Sequence, residues 1–254
     1  MTEHGVRDRV IIVTGAGQGI GRAVALAFAR EGAKVCVAEL KAHRAERTAE
    51  EIRDAGGDGM SSVVDVGKRG DVEAMVAETV RRWGTVDILV NNAHGFGPHA
   101  PLEEIPDEEF DLSWRTGVKG TWWAMCAVLP YMRGAGWGRI INLGSLAAEA
   151  GHAGLGAYSA AKGGIVSVSR VAAREWGAHG ITVNVIYPAA ASKRGLDFMA
   201  RDPERFARVM AERPIGRLGD PDQDIAPIAV FLASDESRFL TGHVFYADGG
   251  AHLG

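Results

Sequence analysis

Tyr158 and Lys162 stand four residues apart in the run Tyr158-Ser159-Ala160-Ala161-Lys162, and Ser145 lies thirteen residues before the tyrosine. On a helix, positions i and i+4 share a face, so the ammonium can hold the phenol in an electropositive environment. That lowers the cost of forming phenolate. A tyrosine that ordinarily titrates near 10 can then serve as a general acid or base closer to neutral pH. Alone, such a pair is equally an exposed pair on a helix, and its weight comes from what lies upstream. Directly after a short apolar run comes Thr14-Gly15-Ala16-Gly17-Gln18-Gly19-Ile20-Gly21, followed by residues with a helical pattern. Glycines let the backbone turn sharply and approach a pyrophosphate, while a helix N-terminus offers free N–H groups and a favourable dipole. Glu39 lies 20 positions after Gly19, where a carboxylate can accept hydrogen bonds from ribose hydroxyls and would repel a 2′-phosphate. Gln18 is neutral where an arginine could pair with that phosphate. NAD is therefore favoured as cofactor, although Lys41 and Arg44 follow closely enough to keep NADP open. No metal is expected.

These residues need elements to hold them, and the chain supplies a regular alternation. Apolar, β-branched runs at 10–15, 34–40, 60–66, 86–93, 138–145, 181–188 and 243–250 read as strands. Between them, amphipathic stretches read as helices at about 20–30, 43–56, 69–83, 107–133, 157–180 and 221–233. Strand and helix units of this length take right-handed crossovers and give a parallel sheet covered on both faces. The predicted fold is α/β: one doubly wound, Rossmann-type domain over 1–254 with about seven strands. The stretch from 190 to 215 has no clear period, and long irregular stretches in compact domains are often functional. Leu196, Phe198, Met199, Phe206, Val209 and Met210 fall there among charges. They read either as a lid over an apolar substrate or as residues that only pack on the domain.

Composition excludes other classes. With 28 basic and 32 acidic side chains the net charge is −4, which lacks the basic excess of a dedicated nucleic-acid binder. At 46% hydrophobic and 24% charged, the chain has the makings of a core and is no candidate for disorder. No segment approaches the roughly 20 apolar residues of a membrane span. The charged start of the chain does not read as a signal peptide, so a cytoplasmic protein is expected. Cys36 and Cys126 sit in apolar surroundings and read as buried, reduced thiols.

Taken with the glycine turn, the acid and the serine, the Tyr158 and Lys162 pair makes the sequence resemble the short-chain dehydrogenase/reductase family over essentially its whole length. The matching pieces are Thr14 to Gly21, Asp65-Val66, Asn91-Asn92-Ala93, Ser145, Tyr158 with Lys162, Pro188, and the closing segments 213–234 and 240–250. The resemblance implies that Tyr158 donates or removes the hydroxyl proton, that Lys162 binds the nicotinamide ribose and tunes Tyr158, and that Ser145 hydrogen-bonds the substrate oxygen. It further implies that Asp65 and Val66 flank the adenine, that Asn91 supports the strand end, and that Ala93 and Pro188 lie along the cofactor. A homotetramer is implied too, built on the helix carrying Trp122 and Trp123 and on the Tyr158 helix, where Ala160, Ala161, Gly163 and Gly164 permit close approach.

Four departures from the family pattern gather at one end. His94 stands where the pattern has glycine, Gly117 where it has a catalytic asparagine, Ala189 where it has glycine, and Lys193 where it has threonine. His94 reads either as a ring beside the cofactor or as a strand-end histidine turned to solvent, and His152 either lines the pocket or is an ordinary loop residue. Gly117 vacates volume in which a water is expected to sit. The leading reading is an NAD-dependent oxidoreductase acting on a secondary alcohol or ketone. A 3-oxoacyl thioester reductase would share every catalytic residue, and a weakly catalytic NAD-binding partner or sensor is the alternative from another class.

Overall fold

The computed structural model describes residues 5–190 and 213–252 and, between them, Glu204, Ala207, Met210 and Ala211. Lys193 and most of the expected lid at 190–215 lie outside the described residues. Seven strands, β1 (Val10–Thr14), β2 (Lys34–Glu39), β3 (Asp58–Val63), β4 (Ile88–Asn91), β5 (Gly138–Leu143), β6 (Ile181–Pro188) and β7 (Val244–Ala247), form one sheet. Their spatial order is β3, β2, β1, β4, β5, β6, β7, and every neighbouring pair is parallel. The doubly wound α/β fold expected from the alternation is the fold the chain adopts.

Strand residues alternate between the two faces, and each face meets its own helices. Ile11, Val13, Val35 and Val37 pack with Val24 and Phe28 of α1 (Gly19–Arg30), Ile52 of α2 (Ala42–Asp54) and Leu232 of the C-terminal helix at Ala226–Ala233. Ile12, Cys36 and Leu89 turn the other way, onto Val72 and Met75 of α3 (Arg69–Trp83). Sheet order reverses where β1 meets both β2 and β4. That reversal opens a crevice at the carboxyl ends of the strands, the place where open α/β sheets bind ligands.

Several boundaries differ from the sequence reading, each for a physical reason. β3 starts two residues earlier than expected and ends at Val63, because its ladder follows β2 from Lys34 opposite Asp58 to Glu39 opposite Val63. β4 stops at Asn91, since the next two backbone N–H groups, of Asn92 and Ala93, donate to the Thr14 hydroxyl at 3.0 and 3.1 Å instead of continuing the ladder. The helix expected over 107–133 is α4 (Asp107–Trp114), a π turn at Arg115–Lys119, and α5 (Gly120–Ala135). Inside that turn the Thr116 hydroxyl bonds the Leu112 carbonyl at 2.7 Å and accepts the Gly95 N–H at 2.9 Å. Such single π turns recur at functional sites. A short helix, α6 (Ala147–Ala150), precedes α7 (Gly156–Trp176), and the C-terminal helix α8 (Ala226–Ala233) follows a π turn at Pro221–Ile225. Cys36 is buried, but Cys126 is exposed, because it shares the outward face of α5 with Trp122 one turn earlier. Among the described residues no helix is long and apolar enough to cross a membrane.

Candidate active site

The glycine turn leaves β1 with Gly15 in the left-handed region, at a φ of 65°. A Cβ on Gly15 would also meet the Cα of Ala93 at 3.0 Å. Gly21, in the first turn of α1, has even less room: a Cβ there would lie 2.3 Å from the Gly15 carbonyl oxygen and 2.5 Å from Nδ2 of Asn92. The Asn92 side chain holds the turn against β4 by donating to the carbonyls of Thr14 (2.9 Å) and Gly15 (3.2 Å). Gln18 stands in extended backbone just before α1, with Gly19 and Ile20 opening the helix and no side-chain cap on it. The helix thus presents its free N–H groups to the crevice, with Gly17 on the side facing β2.

Glu39 ends β2, buried, with its carboxylate against this turn. It accepts the N–H of Gly17 at 3.3 Å and that of Lys41 at 3.1 Å. Arg47 reaches the Gly17 carbonyl from α2 at 3.0 Å, and the Arg44 side chain also packs against Gly17. The edge of the turn therefore carries one carboxylate and two guanidinium-bearing side chains. Asp65, just past β3, accepts the Gly67 N–H at 2.9 Å, which shapes the loop carrying Val66. Asn91 is buried, and its amide donates to Asn142 across the β4 and β5 pair at 2.9 Å. Asn142 in turn donates to Ser169 of α7 at 2.7 Å. Asn91 thus acts between strands, whereas Ala93 lies beside the glycine turn. Pro188 pairs with Ala247 at the end of β6, and the following Ala189 N–H bonds the Ala247 carbonyl at 2.9 Å.

At the other end of the crevice, β5 delivers Ser145 two residues past its last ladder position, and α7 delivers Tyr158 and Lys162 from one face. The Ser145 hydroxyl lies near the phenol of Tyr158 and favours its charged form. Lys162 is buried, its Nζ donates to the Leu143 carbonyl at 2.6 Å, and the same atom stands 5.6 Å from the centre of the Tyr158 ring. Burial pulls the Lys162 ammonium down to about 7. Burial also pushes the Tyr158 phenol up, with the Ser145 hydroxyl opposing it. Helix spacing favours a phenol lowered by the ammonium; in the folded chain the direction is the opposite, because removal of the phenol from water dominates.

His94 faces inward. Its ring stacks on Tyr158, with centroids 5.1 Å apart and planes 25° apart, and Phe96 closes on the same phenol at 4.9 Å. Nε2 of His94 is hydrogen-bonded to the buried Ser113 hydroxyl at 2.9 Å. Burial, reinforced by the nearby Lys162 charge and opposed by the Ser113 backbone, drives the imidazole down to about 2, so it is neutral at ordinary pH. A Cβ built on Gly117 would lie 3.0 Å from Cε1 and 3.1 Å from Nε2 of that ring. The His94 ring therefore occupies part of the volume that Gly117 leaves. His152, by contrast, is exposed on its loop. Beside Tyr158 a recess is lined by Phe96, Ile105 and Leu155 together with Ser113 and Glu109. Phe96 and Ser113 were missed in the sequence; the signal for them was the pair of departures at 94 and 117, which the structure brings into contact.

The family profile described as enoyl-(acyl carrier protein) reductase matches residues 15–252. A curated relative, the BbsD subunit of a hydroxy(phenyl)methylsuccinyl-CoA dehydrogenase from Thauera aromatica, is 36% identical over 249 residues, covering 98% of both chains. A 3-oxoacyl-acyl-carrier-protein reductase of Staphylococcus aureus is 35% identical over 243 residues, 95% of this chain and 97% of that one. Among solved structures, a 7α-hydroxysteroid dehydrogenase in complex with NADH and 7-oxo glycochenodeoxycholic acid superposes with a TM-score of 0.93. It is 32% identical, and the match covers 98% of this chain and 97% of that one.

Proposed function

The chain belongs to the short-chain dehydrogenase/reductase family and is an oxidoreductase of it, and from that premise we propose that it transfers a hydride between NAD and a secondary alcohol or the matching ketone. The observation that carries this reading is the convergence of Ser145, Tyr158 and Lys162 at one end of a crevice whose other end is the glycine turn. A dinucleotide suits the residues present: the cradle at Gly15, Gly17, Gly19 and Gly21 has no room for side chains at its tightest points, and the start of α1 offers N–H groups to a pyrophosphate. When bound, the nicotinamide supplies the hydride acceptor or donor. Tyr158 would take the hydroxyl proton in the oxidative direction and return it to the carbonyl oxygen in the reductive one, while Ser145 holds that oxygen. Lys162 would sit behind the phenol and bind the nicotinamide ribose. Gln18, Ile20, Asp65, Val66, Asn91, Ala93 and Pro188 complete the proposed cofactor shell. Glu39, fixed at its strand end by two backbone N–H groups, would accept from the ribose hydroxyls and repel a 2′-phosphate, which supports NAD over NADP.

Phe96, Ile105 and Leu155, which line the small recess beside Tyr158 together with Ser113 and Glu109, support a small-molecule substrate with an apolar part. A 3-oxoacyl thioester reductase is the second reading, favoured by the likeness to the Staphylococcus aureus enzyme. Both are tested by one screen: purified protein with NAD or NADP against secondary alcohols, diols and hydroxysteroids, and with the reduced cofactors against acetoacetyl-CoA, followed by cofactor absorbance. Oxidation of an alcohol with NAD is expected, faster turnover of the thioester would move the assignment to the second reading, and no turnover on any probe would defeat both. The same proposal includes a cytoplasmic homotetramer. Outward-facing Trp114, Trp122 and Val171 on α4, α5 and α7 support helix pairing between copies. Light scattering giving a stable mass near the 26.9 kDa of one chain would defeat the tetramer.

A further inference from the structure

We propose that His94 is a positioning residue for Tyr158, seated in the space that Gly117 leaves open, so that residues 94 and 117 act as one exchangeable unit of volume beside the phenol. This rests on the oxidoreductase reading for its functional meaning, but its geometry stands apart from it. Three sets of contacts converge on the imidazole. From α7, Tyr158 stacks on it, and Ala161 lies 3.3 Å from the point a Gly117 Cβ would occupy. From α4, Ser113 fixes Nε2 at 2.9 Å. From its own segment, Phe96 meets its ring edge-on at 6.0 Å and packs on Tyr158 as well. The π turn at Arg115–Lys119 brings Gly117 to this ring, and a Cβ there would require the ring to give by a few tenths of an ångström.

The consequence for chemistry runs through the phenol. A general acid or base must present its proton within hydrogen-bond reach of the reacting oxygen, and a phenol free to tip about its side-chain torsions does so only part of the time. One face of Tyr158 is held by the imidazole and another side by Phe96, with Ser145 near its hydroxyl. The Nδ1 atom of His94 is enclosed and has no hydrogen-bond partner among the described residues. An orphaned ring nitrogen is costly, so the contribution of the ring is its flat face and its anchor on Ser113, and phenylalanine should reproduce the first without the second. Among the described residues, the titratable groups around the phenol are His94, Lys162 on the same helix, and Glu109 from α4 in the adjoining recess.

The test is a set of variants, His94→Gly, His94→Phe, Gly117→Ala and the double variant His94→Gly with Gly117→Ala. Each is assayed for turnover of the alcohol that gives the best wild-type rate, for NADH binding by fluorescence, and for the Tyr158 phenolate transition, read as absorbance relative to Tyr158→Phe. His94→Gly should lower kcat by about tenfold or more, as misplacement of a reacting group does, with NADH affinity and KM little changed. His94→Phe should recover most of that loss. Gly117→Ala should impair the native background and be tolerated, or beneficial, beside Gly at 94, a departure from additivity that marks direct contact. Wild-type kcat in His94→Gly, no recovery in His94→Phe, or an equal effect of Gly117→Ala in both backgrounds would each overturn the proposal. If the wild type turned over no probe, the oxidoreductase reading would fall, and the phenolate transition would decide the positioning claim by itself. Admitting water beside the phenol in His94→Gly should bring that transition down, with His94→Phe keeping it high; an unmoved transition in His94→Gly would overturn the claim.

Discussion

The two ends of the crevice are built from different materials. At the glycine turn the tightest walls are backbone: the Gly15 carbonyl and the start of α1, pinned by the Asn92 side chain, come so close that a Cβ on Gly21 would stand 2.3 Å from an oxygen. Around Tyr158 the walls are side chains, and a histidine on one segment occupies the room left by a glycine on another. A wall of backbone cannot trade volume between positions, because its path is set by the chain itself and by the bonds that Asn92 makes to it and that its Ala16 N–H makes to β2. A wall of side chains can, provided the total volume and the key contacts survive. Change at the first end is therefore expected to act through fit of the cofactor, and change at the second through alignment of the reacting groups.

The sharpest separation of the two ends comes from Tyr158→Phe, which removes the transferable proton and almost no surface. Turnover should fall by about 100- to 10,000-fold, the usual scale of general acid and base catalysis, while NADH binding stays close to wild type. Steady-state rates and fluorescence titration check both halves; a variant with wild-type turnover would remove Tyr158 from the mechanism. Gly21→Ala is the reciprocal experiment. Its methyl would press on the Gly15 carbonyl and Asn92, so the turn must shift. NADH binding should weaken and folding stability drop by about 1–3 kcal/mol, the cost of overpacking a tight site, as read by titration and urea unfolding. Gly21→Ala with unchanged cofactor affinity would show that the backbone wall is softer than its distances imply.

Glu39→Ala probes the same end more gently, since it removes a charge and leaves the turn in place. Its carboxylate is held by the N–H groups of Gly17 and Lys41, with Arg44 and Arg47 close by. The ratio of kcat/KM for NAD over NADP should fall by about tenfold, equivalent to 1.4 kcal/mol. A wild-type preference for NADP would mean that the two arginines outweigh Glu39.

This difference in material also explains what was legible in the sequence. The seven strands, the helices on both faces of the sheet and the glycine turn follow from local pattern: Val10–Val13 is uniformly apolar and leads through Thr14 into glycines, and nothing elsewhere in the chain must be known to read it. Tyr158 and Lys162 declare themselves by spacing on one helix. The errors arose where distant segments decide the outcome. β4 ends early because Asn92 and Ala93 find the Thr14 hydroxyl, a partner 78 and 79 positions away. Residues 94 and 117 were both visible as departures, but their joint meaning depended on a π turn and on ring stacking, and neither has a periodic signature. Burial likewise reversed the expected direction of the Tyr158 shift, because desolvation depends on everything packed around a group and spacing reports only its neighbour.

The smallest expected effect concerns stability against pH at the Tyr158 end. His94 is held neutral in the folded chain, down to about 2, by burial and by the Lys162 charge, whereas in the unfolded chain it titrates near 6.5. Below that value the unfolded state binds a proton that the folded state refuses, so stability rises with pH across the window between about 2 and 6.5. The contribution is fully present above the unfolded value and is lost as acid is added. Between pH 7 and 5.5 this one group should cost the wild type about 1 kcal/mol, and Lys162, which becomes fully charged over the same interval, sharpens the refusal. Carboxylates contribute slopes of their own, so the measurement is a difference: urea unfolding of wild type and of His94→Phe at each pH, with the Phe variant expected to lack that share of the acid loss. Two parallel stability curves would mean that His94 accepts its proton in the folded chain, and hence that the ring leaves Tyr158 and the Gly117 slot when charged.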